Sequence, residues 1–588
     1  MTVAAGSLPV PSWHAVTDSI HAVAELDAAP FGPLAFGPPR AVMVARTLAE
    51  VRPALRAVDA AARAGRWAAG YVAYEAAPAF DAALTVREAG PGPLVWFGLH
   101  DAPLGPPRPG PSRARLVELA PELDAAGHAL SVERLRAAIG AGTAYQVNLT
   151  LRLQGRLEGE PLDLYRRLRG AQGGGQTVYL RAGDRAVVSA SPELFLLRVG
   201  SSLTARPMKG TARRGRWSEE DEAAAGALAA SPKERAENVM IADLLRNDLG
   251  RVAEIGSVRA AALFAPERYR TVWQLTSTVE ARVAPAVTLD DLFAAAFPCG
   301  SVTGAPKASA MKLIAAEEGS PRGVYCGAAG LVAPGGDCAF NVAIRTAEVT
   351  LSTGAARYGA GGGITWGSSA SAEWDELLAK TAVLDLDPSR PTLLETMRLE
   401  AGRVALLDRH LARLAGSARY HSTPIDLPEL RALVERERGD GRLRLLLPCD
   451  GPPRLERAAL PAALAGPVRV ALSGEPTSSR DPARFHKTTD RAFYDGRRAA
   501  RPDCFDVILV NEHGAPAEST VANLAVELDG ALWTPPLGAG LLPGVLRAEL
   551  LANGQLGERP LTVADLRRAP RLWLINALRG RVEARLVD

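Results

Sequence analysis

The chain has 588 residues and a mass of 61.9 kDa, enough for roughly two to four domains with large cores. Its 47% apolar and 23% charged residues exclude a disordered or collagen-like protein. The net charge of +3, with no long basic block and no apolar run of membrane-spanning length, argues against a nucleic-acid binder or a membrane protein.

The opening, MTVAAGSLPVPSWHAV, lacks a basic stretch ahead of an apolar one, so no signal peptide is expected. Five scattered cysteines form no CxxC pair and read as free thiols of a cytoplasmic protein. In chain order, the Pro/Gly-rich stretches 28–40 and 101–112 predict loops. SVERLRAAIGAG predicts a helix over 131–142 capped by Ser131, with Glu133 and Arg134 facing outward. Residues 187–211 predict two strands around a turn at Gly200-Ser201-Ser202. Pairing across that turn sets Glu193 opposite Lys209. The pair reads either as a surface ion pair or as an acid/base beside a nucleophilic amine.

SPKERAENVMIADLLRNDL predicts a helix over 231–249, with Ser231 as N-cap, Pro232 at N1, Glu234 completing a capping box and Gly250 as the stop. FNVAIRTAEVTL predicts one strand over 340–351, with Phe340, Val342 and Ile344 on one face and Asn341, Ala343 and Arg345 on the other. The glycine run after Tyr358 suggests close backbone approach to a ligand, although it is not a GxGxxG fingerprint. Glu237 and Glu376 stand on helices, where each alone reads as a solvated residue. LDLDPSRP, 384–391, is the best domain boundary, followed by a hairpin and a helix.

Only six of the 68 basic residues are lysine: Lys209, Lys233, Lys307, Lys312, Lys380 and Lys487. Codon bias towards arginine explains the skew, but an amine that must lose its proton cannot drift to guanidinium. Lys209 and Lys487 are therefore the leading chemical candidates. No histidine lies between 129 and 409. Imidazole catalysis and a His-ligated zinc are thus excluded there, and a metal would sit on carboxylates, as Mg²⁺ does.

YQVNLT (145–150), SPELF (191–195), RPMKGTARRG (206–215), AENVMIADLLRNDLGRV (236–252), GSVTGAPKASAM (300–311), RGVYCGAAG (322–330), FNVAIRT (340–346) and GAGGGITWGSSASAEWDELLAK (359–380) occur in the order found in chorismate-utilising enzymes. This part, about 145–385, resembles component I of the aminodeoxychorismate synthases. The resemblance implies an α+β chain, with an anthranilate synthase component I-like α/β sandwich over 1–387. Glu237 and Glu376 match the family's Mg²⁺-binding glutamates. Gln146, Gln274, Thr303, Gly304, Tyr325, Arg345, Gly361 and Gly363 match substrate-contacting positions, with Arg345 and Tyr325 on the pyruvyl side of chorismate. Glu193 matches the general acid/base near the departing 4-hydroxyl. Lys209 stands in PMKGT where anthranilate synthases have alanine. The resemblance implies that this lysine attacks C2 of chorismate before ammonia adds at C4, which requires a neutral amine. Gln146 replaces the water-activating lysine of isochorismate and salicylate synthases. Gln274 replaces a histidine of many relatives and can hydrogen-bond but not protonate. No glutaminase triad is visible around Cys299, so ammonia would come from a separate glutamine amidotransferase subunit or from solution.

Residues 391–588 resemble pyridoxal 5'-phosphate (PLP) enzymes of fold type IV, aminodeoxychorismate lyase and branched-chain aminotransferases among them. Lys487 matches the lysine that bonds the cofactor, Glu518 the carboxylate at the pyridine nitrogen, Arg413 a phosphate-binding arginine, and the amides near Val545 and Leu546 a phosphate cup. Asn523 and Asn576 fall at structural or site-lining positions. The implied chain makes 4-amino-4-deoxychorismate and then eliminates pyruvate from it to give 4-aminobenzoate, with the C-terminal domain a candidate homodimer interface. The rival readings are an anthranilate synthase fused to a class IV aminotransferase, and a synthase whose C-terminal domain only docks or dimerises.

Overall fold

The computed structural model describes residues 20–587 apart from 108, 109, 111 and 465. The opening segment, His14 included, lies outside the described residues. The chain divides into two compact units. One holds residues up to 213 with Ala225–Ser389; the other holds Arg214–Ala224 with the residues from 390 onward. Among the described residues no helix is long and apolar enough to cross a membrane.

The first unit is built on two large antiparallel sheets, of nine and ten strands. Ala22, Ala24, Val178, Leu180 and Val187 of one sheet pack on Ala69, Tyr71, Trp96, Leu331 and Ala339 of the other, so alternate positions of these strands form an inner core. Helices cover the outer faces. Leu48–Arg63, Pro232–Gly250 and Leu289–Ala296 pack on one sheet, and Pro161–Gln172 and Ala370–Thr381 on the other. In the second unit, a four-stranded antiparallel sheet packs with helices Leu407–His421 and Leu427–Glu435. An eight-stranded mixed sheet follows, with Val468–Leu472 parallel to both Asp506–Val510 and Gly580–Leu586.

Several sequence expectations are met and others corrected. The helix Pro232–Gly250 has Ser231 as its N-cap, accepting from the Glu234 amide at 3.4 Å, and Pro232 at its start. The Glu234 carboxylate turns towards Gly210 instead of closing a capping box. The helix expected at 131 begins at Ala125, capped by Asp124. Ser131 is therefore a buried mid-helix residue, while Glu133 and Arg134 do face outward. The loop expected over 28–40 contains a short strand, Leu34–Phe36.

The single strand expected over 340–351 is two, Cys338–Val342 in one sheet and Thr346–Thr350 in the other. The chain crosses between sheets at 343–345, where Arg345 adopts φ +49°. The hairpin also differs. Its turn is Gly200-Ser201, with Val199 paired to Ser202. A bulge then shifts the register, Pro207 ends the second strand, and Met208–Arg213 pairs with Val272–Arg282 instead. Proline has no amide proton to continue a ladder, and periodicity alone did not register that interruption.

Candidate active sites

A cavity of about 310 Å³ opens in the first unit. Its walls include Glu193, Lys209, Glu237, Gln274, Tyr325, Arg345, Gly361, Gly363 and Glu376. Glu193 and Lys209 thus meet, although not as hairpin partners. Glu193 sits in the turn between Arg185–Ser191 and Leu194–Val199, where its amide donates to Ser191 Oγ at 3.1 Å. Lys209 sits in a bulge between Met208 and Thr211, with Gly210 at φ +98°. A bulge re-aims one side chain out of the ladder's alternation. Asn238 on the capped helix fixes this bulge by donating to the Lys209 carbonyl at 3.2 Å.

Burial and the neighbouring Lys380 lower the Lys209 pKa, against the pull of Glu237, Glu376 and Glu193. Burial pushes Glu193 up to about 7, although Ser301 and Lys209 oppose it. The site therefore eases loss of a proton from the amine and, near pH 7, lets the carboxyl keep one. The Cys299 thiol lies 4.0 Å from Glu193 Oε1, and burial lifts its pKa to about 12, which leaves it inert as a nucleophile.

The glycine run lies in the strand Ala355–Ile364, paired to Gln146–Glu158. A Cβ on Gly363 would fall 2.6 Å from Lys209 Nζ and 2.4 Å from Gln146 Nε2. The absent side chain therefore makes room for this amine. Gln146 is buried with an unpartnered Oε1. Arg345 donates to Gln172 Oε1 and is depressed in pKa by burial. Tyr325 stacks on Arg152, whose guanidinium carbon lies 5.5 Å from the ring centre. Thr303 and Gly304 do not line the cavity. The Thr303 hydroxyl donates to backbone carbonyls, and Gly304, at φ +146°, pairs with Val147.

Glu237 and Glu376 share their wall with Glu234 and Glu373. After burial, repulsion from these neighbours contributes to raising the pKa of Glu234 and Glu373. Against burial, Lys380 lowers Glu376, holding it at 2.7 Å while also donating to the Gly361 carbonyl. Among the described residues no cluster of three metal-ligating side chains is gathered. Two carboxylates completed by substrate oxygens and water nevertheless suit Mg²⁺, which keeps much of its hydration. From the sequence, Lys380 counts only among the six lysines and Glu234 only as a capping residue; the structure brings both to this cavity. The lysine count was the available signal, since Lys209, Lys233 and Lys380 line this one cavity.

The second unit holds a cavity of about 530 Å³, with Lys487, Glu518, Arg413, Asn523, Val545 and Asn576 on its walls. Lys487 follows buried Phe485 and His486, and its carbonyl accepts from the Leu394 amide at 2.9 Å, tying the loop to the strand Leu393–Glu400. Burial lowers its pKa to about 8, with Arg413 adding to the shift. Glu518 is raised to about 7 by burial, and it accepts from the Leu542 amide at 3.1 Å and from Asn523 at 3.2 Å. Arg413 donates to both oxygens of Glu395, at 2.8 and 2.7 Å, and to the Pro543 carbonyl at 3.2 Å. Against burial, Arg413 and His410 hold Glu395 at about 2. Gly544 caps the helix Val545–Ala552, so its first amides open beside Val545; Leu546 does not line the cavity. A pKa-depressed lysine, a buried carboxyl, an arginine and a helix start around one cavity form a donor set that fits PLP.

Residues 34–385 match the family described as chorismate binding enzymes. The chain belongs to this family. Residues 392–587 match amino-transferase class IV. Over 292 residues this chorismate binding enzyme is 42% identical to "Aminodeoxychorismate synthase" of Streptomyces pristinaespiralis, covering 49% of this chain and 38% of the relative. Over 254 residues it is also 42% identical to "Anthranilate synthase component 1" of Streptomyces coelicolor, covering 43% of this chain and 49% of the relative. The chain thus spans about half or less of the length of these curated relatives. The structure of anthranilate synthase component I from Streptococcus pneumoniae superposes with a TM-score of 0.51 at 25% identity, over 64% of this chain and 95% of that one. The fold is accordingly an anthranilate synthase-like chorismate-binding domain followed by a class IV aminotransferase domain.

Proposed function

We propose that the chain makes 4-amino-4-deoxychorismate from chorismate and ammonia in its first unit, and 4-aminobenzoate and pyruvate from that product in its second. Equal identity to an aminodeoxychorismate synthase and an anthranilate synthase does not choose the carbon that is aminated. The observation that carries the choice is Lys209, an amine with lowered pKa presented on a bulge in the cavity that also holds Glu193.

Lys209 attacks C2 of chorismate, the ring double bonds shift, and the C4–O bond breaks. Glu193, protonated near neutrality, gives its proton to the leaving hydroxyl, which departs as water. Ammonia then adds at C4, the double bonds shift back, and the bond to Lys209 breaks. Arg345 and Tyr325 hold the pyruvyl side, and Arg345 suits its carboxylate. Mg²⁺ held by Glu237 and Glu376 would neutralise the ring carboxylate. Ammonia comes from a separate glutamine amidotransferase or from free ammonium.

PLP, with its phosphate at Arg413 and the Val545 helix start and its ring nitrogen at Glu518, would supply the electron sink for the second reaction. Lys487 removes the proton from C4, the C3–O bond breaks, and the ring becomes aromatic as the pyruvyl group leaves. Aromatisation drives this step forward. The test of the first step is Lys209→Ala. Formation of 4-amino-4-deoxychorismate from chorismate and ammonium should slow by more than about a thousandfold. A rate within a few-fold of the parent would rule out the covalent role.

A further inference from the structure

The cavity of the second unit is far more basic than a cofactor phosphate requires. Arg413, Arg442, Arg444, Arg491, Arg498 and Arg579 line it together with Lys487, against two acidic residues, Asp490 and Glu518. Some of these cations are already matched. Arg413 is bound to Glu395, Arg444 to Glu456 at 3.0 Å, and Arg491 lies 3.6 Å from Asp495. Among the described residues no carboxylate lies within ion-pair distance of Arg442, Arg498 or Arg579.

Arg442 is the most telling of the three. Its Nε is buried and has no hydrogen-bond partner. A desolvated guanidinium N–H without an acceptor costs more than an ordinary lost hydrogen bond. Its cross-strand neighbour, Arg398, is taken up by Glu400 and the Leu578 carbonyl and offers Arg442 no acceptor. An anion in the cavity that Arg442 lines would give its accessible guanidinium nitrogens the partner that the protein does not supply. Arg442 also stands on the same sheet face as Leu394, Thr396 and Arg444, all of which line the cavity.

We propose that Arg442 is a specificity-determining residue that anchors a second carboxylate of the substrate, with Arg498 and Arg579 adding to the field around it. The second site then selects a ring amine bearing two carboxylates over one bearing a single carboxylate. This rests on the lyase reading above, and it identifies the feature that would favour an aromatising dicarboxylate over an ordinary monocarboxylic amino acid. Arg442 acts on binding and not on the proton transfer at Lys487.

The test uses the full chain loaded with PLP. The probes are 3-(carboxymethoxy)benzoate and 3-methoxybenzoate, which differ in one ether-borne carboxylate. Binding is followed through the absorbance of the bound cofactor, which reports on the second cavity alone. The unaltered chain should bind the dicarboxylate at least about tenfold more tightly. Arg442→Gln should abolish that preference while leaving cofactor uptake and 3-methoxybenzoate binding unchanged, and Arg442→Lys should restore part of it. No preference in the unaltered chain, or equal weakening of both probes in Arg442→Gln, would overturn the assignment. Turnover of 4-amino-4-deoxychorismate separates the two readings. A preference that depends on Arg442, without release of 4-aminobenzoate, contradicts the lyase reading and leaves the anchor standing. Turnover without a preference does the reverse, and a chain that takes up no PLP contradicts both.

Discussion

Glu193 shows how one side chain couples chemistry to stability. Its folded pKa of about 7 lies above the ordinary carboxyl value of 4.5 because the protein strips it of water. As pH rises from 4.5 to 7, the unfolded chain gains an ionised carboxylate that the folded chain resists, so stability falls across that window and then levels off. The cumulative loss is about 3 kcal/mol. Glu193→Gln should remove that slope. Chemical denaturation should find the variant equal to the parent near pH 4.5 and more stable by up to this amount at pH 8, with the amination rate reduced by about a hundredfold or more. Parallel pH profiles for the two proteins would contradict a raised Glu193 pKa. At this scale the sequence was informative because composition left few amines. Of six lysines, Lys209, Lys233, Lys380 and Lys487 line the two cavities, and Lys307 pairs with Asp248 at 2.9 Å. Arg442 was not legible. It is one of 62 arginines, and only the sheet register shows what it faces.

Elements with strong local signals were legible, and those set by tertiary pairing were not. The helix Pro232–Gly250 follows from Ser231 and Pro232, which act on the adjacent backbone alone. The partner of Met208–Arg213 depends on a strand about sixty residues away and on the break at Pro207. The alternation over 340–351 was real, but it continues through a crossing between sheets that periodicity cannot detect. The glycine run carried its meaning correctly as a need for space, and the structure identifies what fills that space. Gly363→Ala should push Lys209 and Gln146 aside, since both are flexible side-chain ends that can yield. The predicted outcome is an unchanged fold by circular dichroism and an amination rate at least about tenfold lower, since misplacing a reacting group by an ångström is costly. Full activity in this variant would show that Lys209 does not occupy that space during turnover.

For the whole molecule, the proposal assigns one reaction to each unit, and the two reactions can be separated by substitution. Lys487→Ala should leave chorismate consumption intact and cause 4-amino-4-deoxychorismate to accumulate. Release of 4-aminobenzoate at the parent rate would show that Lys487 is not the base. The central claim is amination at C4 followed by loss of pyruvate. Its most direct test is to incubate the purified chain with chorismate, Mg²⁺, PLP and an ammonium salt and to identify the products by mass spectrometry. The account predicts 4-aminobenzoate and pyruvate in equal amounts. Anthranilate as the product would contradict it, because amination at C2 leaves Lys209 no carbon to hold.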